Sequence, residues 1–270
     1  MTLPAPNART TAVVTGASSG IGAEIARELA RRGQQVTLVA RSAGKLAALA
    51  EEIAAGGGRA DVLATDLSDR EARAGLLDRI TGLGLTPSIL VNNAGLSTMG
   101  AVADSDPLAE MNMIEVDVVA VADLCSRFLP GMVQRRGGAV LNVASTGAYQ
   151  PLPGQAGYGA GKAFVLSYTQ SLVGELRGTG VSATALCPGP VATGFGETAG
   201  ISDEDAEAAL PAIMWVSAEF VAKAAVDGLD KGRMVVIPGA ANRVAARVSQ
   251  LVPRRLLVPL LAKQHPALRD

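Results

Sequence analysis

The sequence predicts a doubly wound α/β fold: a seven-stranded, mostly parallel sheet with helices on both faces, in a single domain. Three observations carry this. Short β-branched runs, apolar on both faces, alternate with longer amphipathic segments, as buried parallel strands alternate with crossover helices. A glycine-rich turn, "TGASSGIG", follows the first of these runs directly. No low-complexity linker or longer repeat interrupts the rhythm over 270 residues, a length that suits one large α/β domain.

The first strand is "TAVVT" (11–15), and its turn fits two patterns. Gly16-Ala17-Ser18-Ser19-Gly20 matches G-x-S-x-G, the nucleophile elbow of serine hydrolases. Gly16, Gly20 and Gly22 also suit a turn that brings a dinucleotide pyrophosphate onto the N-terminus of a helix at 21–32. A hydrolase would need Ser18 to work with a histidine, and the single one, His265, lies in the C-terminal tail. The second strand, "QVTLVA" (35–40), ends at Arg41, where a ribose reader belongs. No acid occurs between Glu28 and Glu51. A guanidinium there favours the 2′-phosphate of NADP(H) over the free 2′-hydroxyl of NAD(H).

A helix at 43–55 leads to the third strand, "DVLAT" (61–65), with Asp66 at its end, and a helix at 69–80 leads to the fourth, "SILVNN" (88–93). A long helix spans 107–134, and "AVLNVA" (139–144) delivers Ser145. In the next helix, 157–177, "YGAGK" sets Tyr158 and Lys162 four apart on one face. A free tyrosine ionises near pH ~10. A buried ammonium beside it eases proton release, so the phenol can exchange a proton with a carbonyl or alcohol oxygen. "VSATAL" (181–186), a helix at 217–230 and "MVVIP" (234–238) complete the alternation.

"TGASSGIG", "NNAG" (Asn92–Gly95), "YGAGK" with Ser145 upstream, and "PGPVAT" (Pro188–Thr193) together resemble the short-chain dehydrogenase/reductase family, in order from about residue 10 to 195. The resemblance implies a single-domain Rossmann fold and an NADP(H)-dependent oxidoreductase that moves hydride between nicotinamide and a carbonyl or alcohol. It also implies roles. Gly16, Ser18, Ser19, Ile21 and Gly22 would surround the cofactor phosphates, with Arg41 at the 2′-phosphate and Asp66 at adenine. Asn93, Ala94 and Gly95 would support the ribose side. Ser145 would hold the substrate oxygen, Tyr158 would act as acid/base, and Lys162 would bind the nicotinamide ribose. Pro188, Gly189, Val191 and Thr193 would hold the carboxamide. Two positions depart from the family pattern: Asp117 stands where Asn is common, and Gly161 replaces the frequent Ser of "YxxSK". A non-catalytic NADP(H)-binding redox sensor is the alternative, raised chiefly by Asp117.

Substrate selection is expected from loops at 96–101, 146–153 and 194–216. In the last of these, Asp203, Glu204, Asp205 and Glu207 disfavour a highly anionic substrate, and Met214 and Trp215 suit a lid over an apolar one. The opposing expectation is a helix packing Leu210, Ile213 and Trp215 onto the core. A small, largely apolar carbonyl or alcohol is expected.

Composition narrows the setting. The chain is 49% hydrophobic but 3% aromatic, and its mean hydropathy is +0.29. No apolar run is long enough to span a bilayer, and the first ten residues lack a signal-peptide core. Cys125 and Cys187 form neither a disulfide framework nor a metal-ligand pattern, which suggests the cytoplasm. The net charge of −1 gives no bulk attraction to nucleic acid. The charge is uneven. Six basic residues and one acid give residues 241–270 a charge of +5, while 18 basic and 24 acidic residues leave −6 on the remainder. The expected division is therefore a catalytic domain over 1–240, including the loop 194–216, and a basic amphipathic tail over 241–270. Such a tail can lie on an anionic membrane or pack on its own domain or a partner subunit; packing is the expectation. The family resemblance implies a homodimer or homotetramer through the helices at 107–134 and 157–177.

Overall fold

The computed structural model describes residues 3–193, 211–264 and 268. Seven parallel strands run in the order β3-β2-β1-β4-β5-β6-β7. They are β1 (Thr10–Thr15), β2 (Gln35–Ala40), β3 (Arg59–Ala64), β4 (Thr86–Asn92), β5 (Gly138–Val143), β6 (Val181–Leu186) and the two-residue β7 (Val235–Val236). The chain reverses its lateral direction between β1 and β4, so a crevice opens beyond the carboxyl ends of these two central strands. Because all strands point the same way, Gly16, Arg41, Asp66, Asn93, Ser145 and Pro188 emerge on one edge of the sheet.

The helices are α1 (Gly20–Arg31), α2 (Ala43–Ala55), α3 (Arg70–Ala74), α4 (Leu76–Gly82), α5 (Pro107–Ile114), α6 (Ala120–Gln134), α7 (Ala156–Glu175), α8 (Ala218–Asp230), α9 (Ala240–Leu251) and α10 (Arg254–Gln264). Two hydrophobic layers form the core. Leu38, Ile89 and Leu141 meet Ile25, Leu29 and Val226 of α1 and α8 on one face. Val13, Leu90 and Val140 meet Leu124, Phe128, Met132 and Leu172 of α6 and α7 on the other. Both faces of each central strand are buried, which is why these strands read as unbroken apolar runs.

Two helices depart from the sequence expectation. The helix expected over 69–80 is two short ones divided at Gly75. The long helix over 107–134 is interrupted by a π-helical turn, Glu115–Val119, between α5 and α6. Charge anchors that turn. The buried Arg73 guanidinium meets Glu115 Oε1 at 3.0 Å and Asp123 Oδ2 at 2.8 Å and donates to Leu67 O at 2.6 Å, while Arg70 meets Glu115 Oε2 at 2.9 Å. Asp117, carried by this turn, is 2% exposed. The only apolar clue to the break is a cluster of β-branched residues around Asp117 (Ile114, Val116, Val118 and Val119), which periodicity alone reads as helix.

Candidate active site

The glycine turn is built by close packing rather than by flexibility. Gly16 adopts φ +64°, and a Cβ there would lie 2.7 Å from Asn93 Nδ2 and 2.8 Å from Ala94 Cα. A Cβ on Gly22 would overlap Asn93 Nδ2 and the carbonyl oxygen of Gly16. Asn93 is the staple: its Nδ2 donates to Thr15 O at 3.0 Å and Gly16 O at 3.3 Å. Thr15 Oγ1 in turn accepts from the backbone N–H of Asn93 and of Ala94 and donates to Val91 O. The structure thus joins "TGASSGIG" to "NNAG" directly.

Helix α1 leaves this turn with Ser19 at its N-cap position, no side-chain cap hydrogen bond and no acid in its first turn. Ser18 and Ile21 are half-buried there and Ser19 is exposed. Free N–H groups at a helix N-terminus, reached through a glycine turn, form an anion site. Thr193 closes the same turn from the far side, its Cβ 3.0 Å from the place a Gly20 Cβ would take. At the outer edge, Arg41 is exposed beyond β2. Partial burial raises the pKa of Asp66, but hydrogen bonds from Ser68 and the Arg41 charge outweigh it and hold the carboxyl below its ordinary value. Glycine cradle, open helix terminus and a free guanidinium fit a dinucleotide carrying an extra phosphate.

Ser145 leaves β5 in an extended conformation, held on both sides by the neighbouring strand: Ala144 N donates to Leu186 O and Thr146 N to Pro188 O. Its Oγ accepts from Gly147 N at 3.0 Å, which leaves the hydroxyl proton for another acceptor. The paired Pro188–Val191 segment meets Val216 through a parallel bridge at Val191. Val216 follows Met214 and Trp215, both half-buried, so the chain returns to the site at residue 216. Ile213 is 79% exposed and does not pack on the core as a surface helix would require. Leu210, Asp203, Glu204, Asp205, Glu207 and His265 lie outside the described residues.

On α7, Tyr158 is half-buried and Lys162 buried; Lys162 Nζ stands 5.5 Å from the Tyr158 ring centroid. The ammonium donates to Val143 O at 3.3 Å and forms an ion pair with Asp117 Oδ2 at 2.9 Å. Burial alone would push the Lys162 pKa down. The Asp117 carboxylate and the Tyr158 phenol outweigh it, and the net shift is upward. Asp117 Oδ1 accepts from Leu96 N at 2.7 Å, so one carboxylate ties the β4 loop to the lysine. Gly95 lies between them: a Cβ there would stand 3.1 Å from Lys162 Nζ and 3.2 Å from Asp117 Oδ2. The Cys187 thiol also faces Lys162; burial pushes its pKa up to about 12, so it stays uncharged.

Several residues not singled out in the sequence complete the frame. Asn92 Nδ2 donates to Asn142 Oδ1 at 2.8 Å, and Asn142 Nδ2 donates to Thr169 Oγ1 at 2.9 Å, a buried polar chain joining β4, β5 and α7 beneath the site. Two asparagines inside apolar strand runs are the signal that could have found it. Asn242 of α9 is fully buried against Gly189 and donates to Met214 O and Pro238 O. Nothing in the sequence connects it to that loop. Among the described residues, no cluster of His, Cys, Asp and Glu could hold a metal.

The short chain dehydrogenase family model matches residues 10–203. A short chain dehydrogenase of Pseudocercospora fijiensis is 38% identical over 188 residues, covering 69% of this chain and 61% of that protein. A very-long-chain 3-oxoacyl-CoA reductase of Anas platyrhynchos is 38% identical over 190 residues, covering 67% and 60%. The match thus spans less than two thirds of either relative's length. Over nearly the whole chain, the fold is similar to that of a short-chain dehydrogenase from Sphingobium yanoikuyae in complex with NADPH. The TM-score is 0.79 and the identity 32%, with 97% of this chain and 98% of that one covered.

Proposed function

The chain belongs to the short-chain dehydrogenase/reductase family, and from that premise we propose that it is an NADP(H)-dependent oxidoreductase interconverting a carbonyl group and an alcohol. The observation that carries the reading is the buried Lys162 ammonium, one helical turn from Tyr158 and beneath the strand end that delivers Ser145. NADP(H) in the Sphingobium structure supports the same cofactor here. Gly16, Ser18, Ser19, Ile21 and Gly22 would hold its phosphates, Arg41 its 2′-phosphate and Asp66 its adenine. Asn93, Ala94 and Gly95 would flank the ribose, and Pro188, Gly189, Val191 and Thr193 the carboxamide.

When bound, the cofactor supplies or accepts the hydride. The protein does the rest. Ser145 donates its free hydroxyl proton to the substrate oxygen and fixes the carbonyl plane. Tyr158 gives a proton to that oxygen in reduction and takes one in oxidation. Lys162 holds positive charge beside the phenol and presents it to the nicotinamide ribose. Ordering two reactants in one crevice supplies much of the acceleration.

The substrate we propose is small and largely apolar, selected by loops 96–101, 146–153 and 194–216. The carbonyl chemistry in the name of the Anas relative agrees with this. We place residues 1–240 as the catalytic domain and 241–270 as a basic appendage that walls the site, in a reducing, cytoplasmic setting where both buried cysteines stay free thiols. Among the described residues, no helix is long and apolar enough to cross a membrane. Exposed Leu108 and Met111 on α5 and Phe164 on α7 support a homodimer or homotetramer through those helices.

A panel of ketones, aldehydes and secondary alcohols, assayed by nicotinamide absorbance with both cofactors, tests the reading. Turnover with NADPH well ahead of NADH is expected. Tight NADPH binding with no turnover on any substrate would favour a redox sensor instead.

A further inference from the structure

The helices at the C-terminus are amphipathic in the wrong sense for a free-standing domain. The inward face of α9 consists of Asn242, Ala246 and Ser249, all buried, and Asn242 is anchored by hydrogen bonds to Met214 O and Pro238 O. Its apolar row points outward: Val244 is 60% exposed, Val248 50% and Leu251 83%. Helix α10 continues the pattern, with Leu257 buried but Leu256 62% and Leu260 53% exposed. A surface helix of a globular protein turns its apolar stripe inward. Here α9 packs on its own domain, one of the placements the sequence left open, yet through a small polar face.

Charge distinguishes this surface from the rest of the molecule. Arg243 and Arg247 run beside the Val244–Val248 row, one position round the helix, with Arg243 donating to Ile237 O, and α10 carries the cations Arg255 and Lys263; all four are exposed. Between residues 240 and 264 there is no acid. Among the described residues outside the tail, six arginines pair with carboxylates, as Arg27 does with Glu24 and Glu52 or Arg32 with Glu28 and Asp227, while others such as Arg41 and Arg59 do not. Among the described residues, none of the tail cations has a carboxylate partner. An apolar stripe flanked by unpaired, long-stemmed cations is the pattern of a helix lying in an anionic lipid interface. Apolar side chains enter the acyl boundary there, and guanidinium groups stay at the phosphates. Two copies meeting face to face through this surface would instead set one carboxylate-free cationic row against another.

The surface is joined to the site. Helix α9 packs against the turn Thr146–Tyr149 that follows Ser145, and Arg254 Nη2 donates to Tyr149 O at 3.0 Å. Asn242 touches the Gly189 loop from the same helix. We propose that α9 and α10 form a peripheral docking surface for an anionic bilayer, which holds the mouth of the active site at the lipid interface to receive a lipid-soluble carbonyl substrate. The docking stands on the tail alone; the substrate class rests on the oxidoreductase reading above.

Co-sedimentation of the full chain with phosphatidylglycerol/phosphatidylcholine vesicles and with pure phosphatidylcholine vesicles, at low and high salt, tests the docking. The expected result is pelleting with the anionic vesicles, reduced by salt, and none with phosphatidylcholine. Arg247→Glu with Arg255→Glu should weaken binding by at least about thirtyfold, since each cation lost forfeits roughly fivefold and reversal adds repulsion. Val248→Asp with Leu251→Asp should abolish it. These four side chains are exposed, so circular dichroism melts should match wild type and verify folding. Three results overturn the proposal: no pelleting with anionic vesicles, pelleting indifferent to both double variants, or a dimer by light scattering that Val248→Asp/Leu251→Asp dissolves without any lipid dependence. Pelleting does not depend on turnover. Failure here therefore leaves the enzymatic reading intact, and a protein inactive on every carbonyl can still pass.

Discussion

In the proposed reaction, proton transfer and its control rest on a few side chains. Tyr158→Phe removes the transferable proton and keeps the ring under which Lys162 lies. The expected outcome is a fall in kcat of about 10²–10⁴, as for loss of a general acid, with NADPH affinity by fluorescence titration near wild type. Arg41→Gln removes a charge-assisted contact worth about 2 kcal/mol, so NADPH should bind roughly thirtyfold more weakly and NADH about as before. Equal effects on both cofactors would take Arg41 away from the 2′-phosphate. Asp117→Asn keeps an acceptor for Leu96 N but removes the charge facing Lys162. Burial is then opposed by the Tyr158 phenol without the carboxylate, so the lysine pKa falls and activity should fail at lower pH on the alkaline side than in wild type. The sign in stability follows from the raised lysine. Its contribution is complete below the ordinary value of 10.5 and lost as pH climbs through the higher folded-state value. The wild-type advantage over Asp117→Asn, about 3 kcal/mol for a broken buried pair, should be full while the lysine is protonated in both proteins and shrink as pH rises, first through the variant's lowered lysine pKa and then through the raised wild-type one. Guanidinium melts at several pH values check it; a gap that grows with pH would contradict the pairing.

Elements show what was legible in the sequence and what was not. The strands read clearly because burial on both faces leaves runs such as "SILVNN" with no competing helical period. The ends of β1, β4, β5 and β6 followed, and with them Gly16, Asn93, Ser145 and Pro188 on one edge. Tyr158 and Lys162 were legible because i,i+4 spacing survives in any α-helix. The role of Asp117 was not. Its contact with Lys162 depends on a π-helical turn that adds one residue to the helical period, and on Arg70 and Arg73 far back in the chain, which clamp Glu115. No local pattern encodes that. The clamp is open to test. Arg73→Met empties a buried site on which Glu115, Asp123 and the Leu67 carbonyl converge, and should cost about 2–3 kcal/mol. For a chain this long that is a fall of about 4–10 °C in Tm, with activity dropping further than stability because Asp117 shifts with the turn. A variant equally active per folded molecule would separate the clamp from the site.

Across the whole molecule the site is assembled from parts far apart in sequence. The glycine turn and Arg41 come from the first half of the sheet, and Ser145, Tyr158 and the Pro188–Thr193 segment from the second. The third contribution is the C-terminal wall, where one side chain does the joining. Asn242 fills the space against Gly189 so closely that a Cβ on that glycine would overlap it, and it holds the carbonyls of Met214 and Pro238. Those two carbonyls belong to the returning loop and the end of the last strand, so Asn242 couples the basic tail to both. Asn242→Ala leaves the two acceptors without this donor and opens a void. The cost should be about 1–3 kcal/mol, or about 2–10 °C in Tm. If the tail serves only as a buttress, KM and NADPH affinity should both stay near wild type once melting is accounted for. If it shapes the mouth, as its contacts with Gly189, Met214 and the turn after Ser145 indicate, KM for the carbonyl substrate should rise several-fold with NADPH affinity little changed. Steady-state kinetics well below the melting temperature distinguish the two outcomes, and the second is expected because Met214, whose carbonyl Asn242 holds, belongs to the proposed substrate loop 194–216.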